Sequence, residues 1–160
     1  MKNKGFTLVE LLGVIVIMAI LLTIAVPNIM SISKKIKNEM YCSKIDSIME
    51  AAKIYAQDNI QKVKSGKSSV TVAELVANNN IKSEENGCAA ALIGGKYCGT
   101  KGTGRCDCTL VKNPLDGKSI DDKNITIGLR DTGSSNNNRV YATWDWSSED
   151  NIVKAACNKG

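Results

Sequence analysis

The chain has 160 residues, with no histidine, six cysteines, seven aromatic residues and a formal charge of +5. Without histidine there is no Ser-His-Asp or Cys-His catalysis, no His-liganded zinc and no imidazole proton shuttle. No other motif points to catalysis, so the chain is expected not to be an enzyme. The length fits one domain of ordinary size. Met1 to Gly5 carries Lys2 and Lys4. Residues Phe6 to Met30 are then apolar or uncharged except for Glu10, and no charge occurs between Leu11 and Ser33. About 20 such residues cross a bilayer as a helix, so residues 6–30 are expected to span a membrane, with a kink at Pro27. Lys34, Lys35 and Lys37 follow, and positive charge on both sides leaves the orientation open on loop charge alone. The run is followed by no small-residue cleavage pattern, so an uncleaved anchor is the plain alternative to a secretory signal.

Beyond the apolar run, Ile29, Ile32, Ile36, Met40, Ile45, Ile48, Ala52 and Tyr55 recur at helical steps among charged residues. This pattern predicts an amphipathic continuation over residues 31–63, giving one helix over residues 6–63 about 87 Å long. Ser65 to Ser69 reads as a break, and residues 64–160 form a globular head. Thr71 with Glu74 predicts a capping box for a short helix whose apolar face is Val72, Leu75 and Val76, ending near Asn78 to Asn80. Beyond Glu85, glycine is frequent and five of the six cysteines appear. Ile125, Ile127 and Leu129 alternate as a strand does, as do Val140, Ala142, Trp144 and Trp146, with Asp131 to Asn138 as the connector. These segments predict an antiparallel hairpin, whereas Gly94 to Gly104 is too glycine-rich to assign. A long helix on a small antiparallel sheet is an α+β fold.

Lys4-Gly5-Phe6-Thr7-Leu8-Val9-Glu10, the apolar run and Pro27 closely resemble the N-terminal class III signal of type IV pilins and pseudopilins. The resemblance covers about 30 of the 160 residues. It implies a lollipop-shaped pilin fold and a leader of residues 1–5 removed by prepilin peptidase between Gly5 and Phe6. It also implies methylation of the new Phe6 amine by the same class of enzyme, and a filament contact in which Glu10 of one subunit faces the Phe6 amine of its neighbour. The physics is compatible with each role. Gly5 lets extended backbone enter a protease cleft, the leader lysines stay at anionic headgroups, and a lone Glu10 carboxylate in lipid needs compensation. Removing Lys2 and Lys4 brings the side-chain charge from +5 to +3. Val70 to Lys82 and Asn113-Pro114-Leu115-Asp116-Gly117 are faintly similar to the heads of Gram-positive pilins. The second also reads as a simple Pro-initiated turn.

Cys42, Cys88, Cys98, Cys106, Cys108 and Cys157 form an even set beyond the apolar run, and an exported head favours disulfides, with 15 connectivities open. Cys106 and Cys108 are expected to find different partners, because so small a ring would be strained. Four-thiolate zinc and free thiols are the alternatives, though the C-x2-C knuckles of zinc sites are missing. The family's common single C-terminal disulfide loop supplies no pairing for six. Asp116, Asp121 and Asp122 fall in a loop comparable to one that holds calcium in some pseudopilins. Their spacing is not that of an EF-hand, and a solvated acidic turn is the preferred reading, with no metal or cofactor expected. Trp144 and Trp146, sharing strand parity, are expected on a core or interface face.

The expected function is therefore that of a structural subunit of a type IV pilus or pilus-like filament. The alternatives are a competence or type II secretion pseudopilin, acting in DNA uptake or secretion, and a signal-anchored binding protein that does not polymerise. Expected partners are other pilin subunits, prepilin peptidase/methyltransferase, the pilus assembly platform and the membrane before assembly. DNA is a conceivable partner that no aromatic and basic interleaving supports. The expected location is a single pass in the inner or cytoplasmic membrane, then a filament at the cell surface.

Overall fold

The computed structural model describes residues 5–130 and 139–157, the side chains of 24–28 excepted. Met1 to Lys4, the connector Asp131 to Asn138 and the Pro27 kink site lie outside the described residues. The backbone forms α1 (Leu8–Asp58), α2 (Ile60–Lys64), β1 (Ser69–Thr71), α3 (Val72–Ala77), β2 (Ala89–Ile93), β3 (Lys96–Thr100), β4 (Asn124–Arg130), β5 (Arg139–Trp144), a 3-10 turn (Trp146–Ser148) and α4 (Asn151–Ala156). This is the α+β class, a long N-terminal helix with small antiparallel sheets.

The chain divides into two units, Met1–Lys37 and Asn38–Gly160. In the first, every described apolar side chain from Phe6 to Ile36 is exposed, Phe6 at 83% and Leu8 at 79%. Among the described residues no helix is long and apolar enough to cross a membrane. The described side chains of the apolar run stop at Thr23 and resume at Ile29.

The second unit begins inside α1, so residues 38–63 belong with the head. Tyr41, Ile45, Ile48, Ala52, Tyr55 and Ala56 form the buried face of the helix. Steps of three and four residues place these side chains on one stripe. The helix does not continue to Val63 unbroken. It is interrupted at Asn59, where the backbone leaves helical geometry with φ −110° and ψ 33°, while the backbone and side-chain amides of Asn59 both donate to the Tyr55 carbonyl at 2.9 Å. The α2 turn that follows buries Val63.

The three-stranded sheet has the order β1-β4-β5 and a separate pair is β2-β3. Ile125 lies opposite Trp144, and Ile127 opposite Ala142. These four side chains, with Val70 and the apolar face of α3, join the α1 stripe in one core. Each fully buried Ile, Leu or Val contributes about 1.5–3 kcal/mol. The α3 helix starts where expected, with Thr71 Oγ1 accepting from the Glu74 amide at 3.1 Å. It ends in a left-handed cap at Asn79, φ 60°. There the Asn80 amide donates to Leu75 and the Asn79 amide to Val76, a Schellman closure with asparagine in the usual glycine position.

Strand β5 stops at Trp144. Trp146, expected on the same strand face, lies instead in the 3-10 turn, because the Asp145 carboxylate accepts from the Ser147 amide at 3.0 Å and caps it. The glycine-rich stretch becomes the β2-β3 hairpin, turned at Gly94 and Gly95 with φ of 60° and 82°. Two consecutive positive φ values are what a two-residue hairpin of the twisted type requires.

Candidate functional site

Helix α1 opens on Thr7 and Glu10. The Glu10 carboxylate accepts from the Thr7 amide at 3.0 Å and from its hydroxyl at 2.9 Å, and Thr7 Oγ1 accepts from the Glu10 amide at 3.3 Å. This reciprocal capping box satisfies two amides that a helix start leaves open. Within a single chain, Glu10 is thus compensated by its own helix terminus. A carboxylate here also meets the positive end of the helix dipole. Sequence reasoning missed the role of Thr7, although Thr-x-x-Glu is the same signal it read at Thr71 and Glu74. At that second place the box is half-formed, since the Glu74 carboxylate turns to other partners.

Gly5, at the expected cleavage point, is exposed. A Cβ added there would meet nothing within 4 Å, and it carries no left-handed φ. The fold of this chain therefore places no demand for glycine at that position. Phe6, at the site of the expected new amine, is likewise exposed.

Two polar clusters hold the head to the second half of α1. Glu149 accepts from Tyr41 Oη at 3.1 Å, Lys123 Nζ at 3.0 Å and Trp144 Nε1 at 3.2 Å. Burial first, then the Glu149 charge and hydrogen bond, push the Tyr41 hydroxyl well above the usual tyrosine pKa. Glu74 accepts from Tyr55 Oη at 2.9 Å and from Lys67 Nζ at 2.6 Å. Burial opposes the charged form of Lys67, but the Glu74 hydrogen bond and charge outweigh it, and its pKa is raised. Among the described residues no buried side-chain polar atom lacks a partner.

All six cysteines are paired, Cys42 with Cys157, Cys88 with Cys108 and Cys98 with Cys106. Cys106 and Cys108 go to different partners. The last two bridges nest one inside the other around the β2-β3 hairpin, where a Cβ on Gly99 would collide with the Cys108 carbonyl and Cys88 Sγ.

The acidic loop differs from the solvated turn expected. Asp121 is only 6% exposed, and its two oxygens accept from the Leu110 amide at 3.0 Å and the Val111 amide at 2.8 Å. Burial is sustained because each oxygen replaces its water with a backbone donor. Asp122 pairs with Lys96 at 2.9 Å, and Asp116 pairs with Lys118. The three aspartates do not converge. Among the described residues no group of three or more acidic or cysteine side chains could hold a metal ion.

Residues 1–26 match the family model for the prokaryotic N-terminal methylation motif. The chain is similar to the type II secretion system core protein G of Pectobacterium carotovorum subsp. carotovorum, 38% identical over 58 residues, covering 36% of this chain and 37% of that one. It is similar to the core protein G of Escherichia coli (strain K12), 38% identical over 58 residues, 36% of this chain and 40% of that one. To the core protein G of Klebsiella michiganensis it is 41% identical over 58 residues, 36% of this chain and 41% of that one. The chain spans about two fifths of the length of these curated relatives. No solved structure matches significantly.

Proposed function

We propose that this chain, whose N-terminal segment belongs to the pilin and pseudopilin family, is a structural subunit of a type IV pilus or pilus-like filament. Prepilin peptidase cuts it between Gly5 and Phe6, the Phe6 amine is methylated, and the mature chain polymerises through its N-terminal helix. The observation that carries this reading is the helix start itself. Apolar side chains from Phe6 to Leu22 stand exposed around α1 with one carboxylate, Glu10, among them. A face so apolar needs cover from lipid or from other helices. Before assembly the cover is the membrane, crossed once by residues 6–30, and afterwards it is the same helix of neighbouring subunits.

In the filament Glu10 faces the Phe6 amine of a neighbour. Its exchange from Thr7 to that amine fixes register more than it adds stability, as charge pairs out of water often do. The reading assigns the chain no catalysis, because its own role is that of a substrate for the peptidase. The assembly platform and sibling subunits are its remaining partners. The named relatives favour a second reading within the same family, a type II secretion pseudopilin whose short filament drives export.

Co-expression with a prepilin peptidase followed by intact mass measurement tests the processing step. Loss of Met1 to Gly5 with one added methyl group is expected, and a mature chain that retains Met1 to Gly5 refutes it.

A further inference from the structure

Asparagine precedes glycine at one place in the chain, Asn86-Gly87. The pair forms the corner of a turn from Glu85 to Cys88, closed by the Cys88 amide donating to the Glu85 carbonyl at 3.1 Å. Gly87 has φ 73°, the positive value that the third residue of a type II turn requires. Both corner residues are exposed, and a Cβ on Gly87 would meet nothing within 4 Å. Among the described residues the Gly87 amide donates to no acceptor, and the Asn86 side chain has no hydrogen-bond partner.

The frame around this corner is fixed. The Glu84 amide donates to the Leu110 carbonyl at 2.7 Å, and Cys88 is bonded to Cys108. Lys44 pairs with Glu84 at 2.6 Å and Lys101 with Glu85 at 2.8 Å, so the two glutamates before Asn86 are neutralised and do not repel hydroxide. The other turn in which an acid or amide side chain precedes glycine, Asp116-Gly117, is built differently. There the Gly117 amide donates to the Asn113 carbonyl at 2.7 Å, and Asp116 Oδ1 accepts from the Lys118 amide at 3.0 Å. Both of its reacting groups are engaged, whereas those of Asn86-Gly87 are idle.

We propose that Asn86 is a site of spontaneous deamidation and isoaspartate formation in the folded head, with water as the only co-reactant. The Gly87 amide gives its proton to hydroxide, and its nitrogen attacks Asn86 Cγ. A nitrogen–carbon bond forms there, the bond from Cγ to the side-chain nitrogen breaks, and that nitrogen takes a proton from water and leaves as ammonia. The product is a five-membered succinimide. Water then opens the ring at either carbonyl, with no change of oxidation state. Breaking the ring bond at Cγ gives aspartate, and breaking it at the main-chain carbonyl gives isoaspartate, whose backbone runs through Cγ.

Because the two groups sit in adjacent residues, the attack is unimolecular. Glycine accepts either sign of φ, so the shared peptide can rotate and carry its nitrogen to Cγ. A side chain at position 87 would crowd that approach. The reaction sets a carboxylate beside Glu84 and Glu85 and lowers the charge of the chain by one. Its isoaspartyl product also lengthens the backbone just before Cys88, so the exposed turn keeps a chemical record of the age of the head. This inference is independent of filament assembly.

The test incubates the oxidised full chain in non-ionic detergent at mildly alkaline pH and maps its peptides by mass over time. The peptide containing Asn86 should gain one dalton and split into aspartyl and isoaspartyl forms, the second accepting a methyl group from protein-isoaspartate methyltransferase. Asn59, Asn80, Asn124 and Asn151, each followed by isoleucine, should keep their amides over the same period. Asn86→Gln, whose ring would need six members, should abolish both the mass shift and the methyl acceptor. Its melting profile should match the parent, since the side chain is exposed. Retention of the Asn86 amide in the folded chain, whether or not a guanidinium-unfolded sample loses it, would overturn the proposal. So would loss no faster than at the four Asn-Ile sites, or aspartate as the sole product, which would mark direct hydrolysis without a ring.

Discussion

Removing the Cys42–Cys157 bridge should cost the head more than removing either of the other two. The bridge ties α1 to the end of α4 across a sequence separation of 115 residues, against 20 for Cys88–Cys108 and 8 for Cys98–Cys106. Loop-closure entropy grows with the logarithm of loop length, which gives about 5, 3 and 2.5 kcal/mol respectively for the three bridges. Native contacts bear on the same order. Cys42 sits beside Tyr41, and Cys157 follows α4, whose one buried apolar side chain is Val153. Without the bridge, the terminal helix has little burial to keep it docked. Cys42→Ala with Cys157→Ala should therefore lower the unfolding midpoint by on the order of 15 °C. Cys98→Ala with Cys106→Ala should lower it by about half as much. Thermal unfolding of the oxidised full chain in detergent, followed by tryptophan fluorescence, measures both, since Trp144 and Trp146 lie against the core. If the Cys98/Cys106 variant loses as much stability as the Cys42/Cys157 variant, loop length does not govern these bridges and the reasoning fails.

Three other perturbations follow from the clusters around α1 and the hairpin. The folded-state pKa of Tyr41 is raised, chiefly by burial and then by Glu149. Its contribution is complete below the free tyrosine pKa of about 10 and is lost as pH rises past it. Tyr41→Phe should flatten the alkaline decline in stability by one proton's worth, and an identical decline in the variant would exclude Tyr41 as its source. Thr7→Val removes the hydroxyl from the capping box and should destabilise the first turn of α1 by about 1 kcal/mol. Faster amide exchange at Val9 to Leu11 in detergent would register this, whereas unchanged rates would mean that the cap contributes nothing. Gly99→Ala drives a Cβ into the Cys108 carbonyl and Cys88 Sγ and should cost about 1–3 kcal/mol. A variant that melts with the parent would show that the hairpin yields freely there.

The parts of the head legible in the sequence are those in which one element carries its own pattern. The buried stripe Ile45, Ile48, Ala52 and Tyr55 follows from helical spacing alone, whereas Met40, expected on the same stripe, is exposed and its neighbour Tyr41 is buried in its place; the α3 start follows from Thr71. The β4-β5 pair follows from alternation over Ile125 to Leu129. What was illegible depends on partners far apart in the chain. Glu149 reads as a surface glutamate until the fold brings Tyr41 and Lys123 to it. Asp121 reads as a solvated turn residue until Leu110 and Val111 present their amides. The cysteine pairing is a choice among topologies that spacing cannot make. Strand β1 spans only Ser69–Thr71, too few residues for alternation to register, and it exists because β4 offers it an edge. Strand parity extends β5 to Trp146, whereas the Asp145 cap starts a 3-10 turn there and the strand ends at Trp144. At the candidate assembly site the motif from Lys4 to Glu10 was legible at once. The Thr7-to-Glu10 spacing carries the capping box as plainly as the Thr71-to-Glu74 spacing does.

Assembly through the N-terminal helix is tested most directly by electron microscopy of surface-sheared material from cells expressing the chain with a prepilin peptidase, beside the Glu10→Ala variant processed to the same mature mass. The wild-type chain should form filaments containing the mature subunit, and Glu10→Ala should be cleaved normally yet yield few or none. Equal filament yield from Glu10→Ala would contradict the role given to that carboxylate. Absence of filaments from the correctly processed wild-type chain would contradict the account as a whole.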